Sequence, residues 1–513
     1  MELKENVIPR EYQINIAKTA SKKNTLVVLP TGTGKTLIAI LVAIDRLKLY
    51  PESKVLMLAP TRPLTEQHAK TFKEFTNINP EEINVLSGKI KPSDILTLYE
   101  KSKVIVATPQ TVDNDIKNNL VRLENYSLLI VDECHRSVKK YSYPNIAKKF
   151  MLQSKYPRIL GLTASPGSSK ERIEEICNNL FIDAIEIRSE TDDDMINYIQ
   201  PIEKENVYVE LPENFKKAKI LLEEAFKEDV YWLKERHYIP ISNPTKKMLL
   251  DLQKKIMDNL LQGEKNPILF QVIIKVMNAI KIQYMLELLE TQGVSFVYDY
   301  IKKLELSKKR NDKLLMKDPK IREVKKIIED LYHKNIEHPK LDRLLEVVKS
   351  LIEKKSTSRI ICFANYRATV NRINSMLNDN NIKSEILIGQ SIKSGFGLSQ
   401  KKQIETIQNF NDGVFNVLVA SSIGEEGLSI KDVDAVIFYD AVASEIRKIQ
   451  RSGRTGRTAP GKVIFIITKD TVDEAYYYAS LKKEAKMKKT LYRMKNRGVV
   501  KRKISLLDWI KSS

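Results

Sequence analysis

The string "LPTGTGKT" at residues 29–36 follows a β-branched run and opens an amphipathic stretch, the setting a phosphate loop requires. Backbone N–H groups around Gly32 and Gly34 can cradle phosphate oxygens there, at the positive end of a helix. Pro30, Thr31 and Thr33 complete the loop, Lys35 reaches the β- and γ-phosphates, and the Thr36 hydroxyl suits Mg²⁺. The strict pattern has glycine where this chain has Leu29. "LLIVDECH" at 128–135 supplies two carboxylates: Asp132 for the magnesium shell, and Glu133 to orient and deprotonate a water. Cys134 and His135, adjacent and without a third ligand nearby, make a poor chelate; His135 is expected to link the nucleotide site to another domain. "IQRSGRTGR" at 449–457 lies more than 300 residues further on. Its Gln450, Arg454 and Arg457 sit on a glycine-broken turn that a neighbouring domain can present to a γ-phosphate, and an arginine finger is worth roughly 10³–10⁵ in rate. ATP and Mg²⁺ are the expected cofactors, and hydrolysis would require two domains to close.

Two sets of elements must position these groups. "TLVVLP", "VLMLAP", "KVIVATP", "LLIVDE" and "RILGLTAS" read as strands buried on both faces of a parallel sheet, each ending in a turn where such sheets place ligands. The rhythm returns from 358 with "RIICFAN", "SEILIG", "NVLVASS", "AVIFYD" and "KVIFIIT". Between them, after a short extended run "VYVELP", the chain shows helical spacing and frequent lysines, with Gly293 as a helix stop. The expected division is an ATP-binding domain at 1–200, a helical insertion at 201–335, a second sheet domain at 336–500 and a tail at 501–513. Tyr231 and Trp232 are expected in the core of the insertion. Tyr476, Tyr477 and Tyr478 should pack the last helix on the second sheet domain, and His338 should open a helix.

Among 513 residues, 86 Lys and Arg against 65 Asp and Glu leave a net charge of +21, which favours a polyanion, above all nucleic acid. No run of 18 apolar residues offers a membrane span and no apolar leader opens the sequence, so a cytoplasmic protein is expected. Cys134, Cys177 and Cys362 are far apart, match no zinc or redox spacing, and are expected to be reduced and buried.

Together these motifs resemble a superfamily 2 helicase over nearly the whole chain. Arg10, Tyr12 and Gln13 in "PREYQ" match that family's adenine-recognition segment. Thr61 and Arg62 in "APTRPL" and Thr108 in "ATPQT" match segments that grip the strand's phosphates, and "TAS" at 163–165 matches the segment linking hydrolysis to strand movement. "FANYR", with Asn365 and Arg367, and "ASSIGEEGLSI", with Ser421, Gly424, Glu426 and Gly427, match the second domain's nucleic-acid and nucleotide contacts. "SSIGEEGL", "DECH", "HPKLDRL" and the helical insertion narrow the likeness to the archaeal Hef helicases. These are relatives of the Fanconi anaemia complementation group M protein and, more distantly, of the RIG-I and Dicer helicases.

That resemblance implies an α/β fold of two RecA-like parallel-sheet motor domains with an inserted all-helical domain. It also implies ATP-driven 3′→5′ translocation on forked or branched DNA in fork repair and recombination, with shape preference added by the insertion. Two features depart from the family. Ser429 stands where members carry an aspartate near the ribose, and no XPF-type nuclease motif or tandem helix–hairpin–helix follows, so the chain is not expected to cut DNA. A separate XPF-type nuclease is an expected partner. The rival readings are a duplex-RNA-dependent ATPase and a non-hydrolysing DNA-binding platform that recruits a nuclease. The tail "KISLLDWI" bears on partners too. Lys503, Leu506, Trp509 and Ile510 fit the spacing of a sliding-clamp peptide, with lysine and isoleucine replacing its glutamine and last aromatic; the alternative is that Trp509 folds back on the protein's own surface.

Overall fold

The computed structural model describes residues 1–86, 92–138, 141–198, 200–262, 266–389, 398–421, 430, 432–456 and 460–498. Gly424, Glu426, Gly427, Ser429, Arg457, Leu506, Trp509 and Ile510 lie outside the described residues.

Strands that are apolar on both faces need helices on both sides, and parallel pairing supplies them through its crossovers. Seven described strands form the first sheet: β1 (Thr25–Val28), β2 (Lys54–Leu58), β3 (Ile83–Leu86), β4 (Val104–Ala107), β5 (Tyr126–Val131), β6 (Ile159–Thr163) and β7 (Ala184–Ile187). All pair in parallel, in the order β3-β4-β2-β5-β6-β1-β7, and β1, β4, β5 and β6 are buried throughout. Parallel pairing sends every strand's C-terminal end to one edge. The phosphate loop, Thr61, Thr108, Asp132 and the "TAS" segment therefore gather there.

The second sheet comprises β8 (Ile202–Val209), β9 (Ile360–Phe363), β10 (Ser384–Leu387), β11 (Val417–Ala420), β12 (Ala435–Phe438) and β13 (Gly461–Thr468), in the order β10-β11-β9-β12-β13-β8. Here the expected boundary at 201 moves. Ile202–Val209 pairs with Gly461–Thr468 along its whole length and completes the second motor domain before the insertion begins. It is a charged edge strand, with Glu203 and Glu205 both reaching Lys462 (3.2 and 2.5 Å), and only its last residues enter the core. Only its end, in the extended run "VYVELP", is marked locally, because its partner lies some 260 residues away.

The insertion is helical, as its periodicity implied. Helices Glu213–Glu235, Lys246–Leu261, Pro267–Thr291, Val294–Glu305, Arg310–Leu315 and Pro319–His333 enclose their own apolar core. Trp232 packs against that core beneath the Arg236 guanidinium, whereas Tyr231 points to solvent at 64% exposure, contrary to expectation. Buried polar bonds fasten the insertion to the second motor domain. Gln292 donates to Asp440 (2.9 Å), and Glu290, paired with Lys219 inside the insertion (3.0 Å), accepts the Val472 N–H (2.8 Å). His338 opens the helix Lys340–Lys354 from a fully buried position, accepting the Lys340 N–H (3.2 Å).

The helix Val472–Arg497 belongs to both motor domains. Tyr477 enters the second domain's core, as expected, while Tyr476 and Tyr478 remain partly exposed. Further along, Met487, Leu491 and Met494 are buried among first-domain side chains, and Tyr492 and Lys495 reach Asp192 (2.6 Å) and Glu186 (3.1 Å). Cys134, Cys177 and Cys362 are buried thiols. No described helix is long and apolar enough to cross a membrane.

Candidate active site

The turn after β1 requires glycine. Gly32 and Gly34 take positive φ (78° and 79°), and Gly34 caps the helix Lys35–Leu49. The Thr33 carbonyl accepts from the Tyr12 hydroxyl (2.6 Å) and from Gln13 Nε2 (3.1 Å), while Gln13 Oε1 accepts the Arg10 N–H (2.9 Å). Arg10 lies over the Tyr198 ring, 5.0 Å from its centroid. The Arg10–Gln13 segment thus braces the loop from behind, with both ends of the Gln13 amide engaged. Thr33 Oγ1 ties the turn to the Pro30 carbonyl (2.7 Å), and Lys35 folds back on the carbonyls of Leu29 (3.1 Å) and Pro30 (3.0 Å).

The "DECH" turn follows β5 on the same edge. Asp132 Oδ2 lies 2.8 Å from His68 Nε2, and His68 Nδ1 lies 3.4 Å from Thr36 Oγ1. Burial alone would raise the Asp132 carboxyl; the hydrogen bond from His68 and the nearby Lys35 ammonium outweigh it and hold the group below the ordinary carboxylate value. Tyr143 donates to the Asp132 carbonyl (2.8 Å). A hydroxyl and an ionised carboxylate joined through one histidine form a hard-oxygen donor pair of the kind Mg²⁺ takes. Glu133 adopts a left-handed backbone (φ 48°), which costs a residue with a Cβ about 1–3 kcal/mol and marks a constrained position.

His135 Nδ1 approaches both Glu133 Oε2 (3.2 Å) and Thr163 Oγ1 (3.1 Å) of the "TAS" segment. Both of these contacts lie within the first domain. That segment then reaches the helix Val472–Arg497 through Ser165 Oγ and Met487 Sδ (3.0 Å).

Across the cleft stands the helix Glu445–Ser452 with the turn that follows it. Gln450 and Arg454 are buried in this segment. Gly453 lies so close to the phosphate loop that a Cβ there would sit 1.4 Å from Thr31 Oγ1. The space between the two walls is narrow, lined by Pro30, Thr31, Gly32 and Thr33 on one side and Lys448, Ile449, Ser452 and Gly453 on the other.

The residues matched to strand contacts divide into two groups. Thr61 and Thr108 cap the helices Arg62–Phe75 and Pro109–Lys117, each with proline in its first turn. Thr61 Oγ1 has no hydrogen-bond partner, Thr108 shares its hydroxyl with Thr111 (2.8 Å), and Arg62 pairs with Glu66 (2.8 Å) at the surface. In the second domain, Asn365 is exposed but held, its N–H by Asp440 (2.6 Å) and its Oδ1 by Arg451 (3.3 Å). Arg367 opens the helix Arg367–Asp379, and Ser421 is buried with its N–H on the Leu387 carbonyl (3.0 Å). Sequence reasoning did not single out His68, Tyr143 or Gly453 as site residues. A histidine seven residues beyond Thr61 carries no motif of its own, and its role exists only in three dimensions.

Comparison with known proteins agrees with this geometry. Family models match in chain order: DEAD/DEAH box helicase at 10–173, a helical bundle provisionally assigned to ATP-dependent RNA helicases at 214–337, and the helicase conserved C-terminal domain at 339–459. The bundle model begins beyond the edge strand, as the sheet pairing does. The chain is 41% identical to the Pyrococcus furiosus Hef helicase domain in its crystal structure, with a TM-score of 0.75, covering 94% of this chain and 100% of that one. It is 42% identical over 487 residues to a Methanocaldococcus jannaschii protein provisionally named an ATP-dependent RNA helicase. It is also 34% identical over 478 residues to the Schizosaccharomyces pombe ATP-dependent DNA helicase fml1. These alignments cover 94% and 90% of this chain, and the chain spans 61% and 57% of those two relatives.

Proposed function

The chain belongs to the Hef family of ATP-dependent helicases, and from that membership we propose that it translocates 3′→5′ along DNA, acting on forked or branched molecules in replication-fork repair and recombination. The observation that carries this reading is the shared sheet edge. Lys35 and Asp132 stand there with Thr61 and Thr108, the N-caps of two helices whose positive ends suit an anion. The net charge of +21 suits a polyanionic track, and the S. pombe relative is named a DNA helicase.

In this mechanism the phosphate loop and Lys35 bind the triphosphate of ATP, and Thr36 and Asp132 hold Mg²⁺, which supplies charge neutralisation of the phosphates when bound. Glu133 orients the attacking water and accepts its proton. Closure brings the segment bearing Gln450, Arg454 and Arg457 over the γ-phosphate, and Arg10 and Gln13 flank the base. Gly424, Glu426 and Gly427 complete the nucleotide contacts from the second domain. Thr61, Arg62, Thr108, Asn365, Arg367 and Ser421 exchange their hold on the strand's phosphates as the cleft opens. Such contacts carry no sequence information, so binding should be sequence-nonspecific and strongly salt-dependent. The insertion, fastened to the second domain, supplies shape preference. The partners in this reading are a sliding clamp (PCNA), bound through Leu506, Trp509 and Ile510, and an XPF-type nuclease.

The test is ATPase stimulation and unwinding on forked DNA, linear duplex DNA and duplex RNA, with 3′ or 5′ tails. Strongest stimulation by forked DNA with 3′ loading supports the proposal. Strongest stimulation by duplex RNA would transfer the motor to RNA, the class named for the M. jannaschii relative.

A further inference from the structure

The helix Arg62–Phe75 touches both substrates of the proposed motor. Its cap, Thr61, carries the unpartnered hydroxyl assigned above to the DNA backbone. Seven residues on, about 10 Å along the axis at 1.5 Å per residue, the same helix buries His68 between Thr36 and Asp132. An ionised carboxylate only accepts hydrogen bonds, so Nε2 carries the hydrogen toward Asp132 Oδ2 (2.8 Å). The other ring nitrogen, Nδ1, faces the Thr36 hydroxyl at 3.4 Å. A hydroxyl that gives its hydrogen to His68 turns its oxygen lone pairs away from the ring.

We propose that His68 is a positioning residue. It orients the Thr36 hydroxyl and the Asp132 carboxylate as a pair for Mg²⁺, and it ties their placement to the strand-gripping end of its own helix. Partners one step removed from a metal commonly set ligand orientation, and losing them costs roughly 10- to 100-fold in metal affinity. The second half of the proposal rests on the reading of Thr61 as a strand contact.

The full chain serves for the test, with a fluorescent ATP analogue as probe and Mg²⁺ titrated from an EDTA-buffered zero. His68→Phe keeps a ring in the buried site and removes both hydrogen bonds. The Mg²⁺ midpoint for nucleotide retention should rise by roughly 10- to 100-fold, while metal-free nucleotide affinity stays as in wild type. His68→Gln retains a donor for Asp132 and should fall between the two, and it carries the comparison if the phenylalanine variant does not fold. An unchanged Mg²⁺ midpoint, or equal losses with and without metal, would make His68 a packing residue and overturn the proposal. Adding single-stranded DNA tests the link along the helix: it should lower the wild-type midpoint and leave that of His68→Phe unmoved. A midpoint that DNA lowers equally in both proteins refutes the coupling. A wild-type protein that binds no DNA would instead overturn the proposed function, with the metal comparison still decisive for His68.

Discussion

At Gly453 the second motor domain lies against the phosphate loop, and alanine there should separate binding from hydrolysis. Its backbone (φ −71°, ψ 15°) is open to alanine, so the second domain by itself should tolerate the change. The added Cβ would lie 1.4 Å from Thr31 Oγ1 and 2.4 Å from Thr31 Cβ, where ordinary contact needs about 3.5 Å, so even with Thr31 rotated the walls of the cleft must part by roughly 1 Å. A displacement of 1 Å at reacting groups can cost about 10²-fold, and withdrawing an arginine finger costs about 10³-fold or more. We expect DNA-stimulated ATP hydrolysis by Gly453→Ala to fall at least ~100-fold in kcat, with fluorescent-nucleotide binding to the first domain little changed. Adding Thr31→Gly removes the atoms in conflict and should restore most of the loss relative to Thr31→Gly alone. Gly453→Ala hydrolysing at the wild-type rate, or a defect indifferent to residue 31, would refute the argument from domain contact.

Two further outcomes follow from buried polar groups. Burial, with Lys340 nearby, pushes His338 down to about 3, while an unfolded histidine titrates near 6.5. Between those values the unfolded chain binds the extra proton, so stability should fall as pH drops, by up to about 1.4 kcal/mol per pH unit. Urea melts of wild type and His338→Asn should diverge below pH 6.5, and parallel profiles would contradict the assignment. Lys340, fully buried, pairs with Asp473 (2.6 Å) and donates to the Tyr439 carbonyl (2.8 Å). Lys340→Met strands the carboxylate and should cost about 3–5 kcal/mol in chemical denaturation, with Asp473→Asn added to it recovering part; a loss under about 1 kcal/mol would show the pair to be idle.

What could be read from residues alone was whatever local order imposes. Leu128–Val131 is apolar without alternation because both faces of β5 are covered, and the turn after β1 needs Gly32 and Gly34 because of their positive φ. Those local features suffice to place Lys35, Thr36, Asp132 and Glu133 on one edge. Long-range pairing left no such mark. Ile202–Val209 looks like an entry to the insertion because its charged face is that of any exposed segment, and only Gly461–Thr468 makes it a strand of the second domain. His68 looks like one more polar residue in an amphipathic helix until Thr36 and Asp132 arrive on either side. Gln13 matched a base-recognition segment, yet its amide is engaged by the phosphate loop, a second duty that one letter cannot express.

The helix Val472–Arg497 changes what opening means for this motor. At 26 residues it runs about 39 Å, rooted in one motor domain and buried in the other. A hinge motion must draw Met487, Leu491 and Met494 out of the first domain or flex the helix with it. Side chains of that size are each worth about 1.5–3 kcal/mol buried, so the open form carries a load of several kcal/mol that no nucleotide is needed to impose. The helix therefore acts as a spring mounted in parallel with ATP. Loosening these three methionine and leucine anchors should ease separation of the two motor domains without touching a single catalytic group.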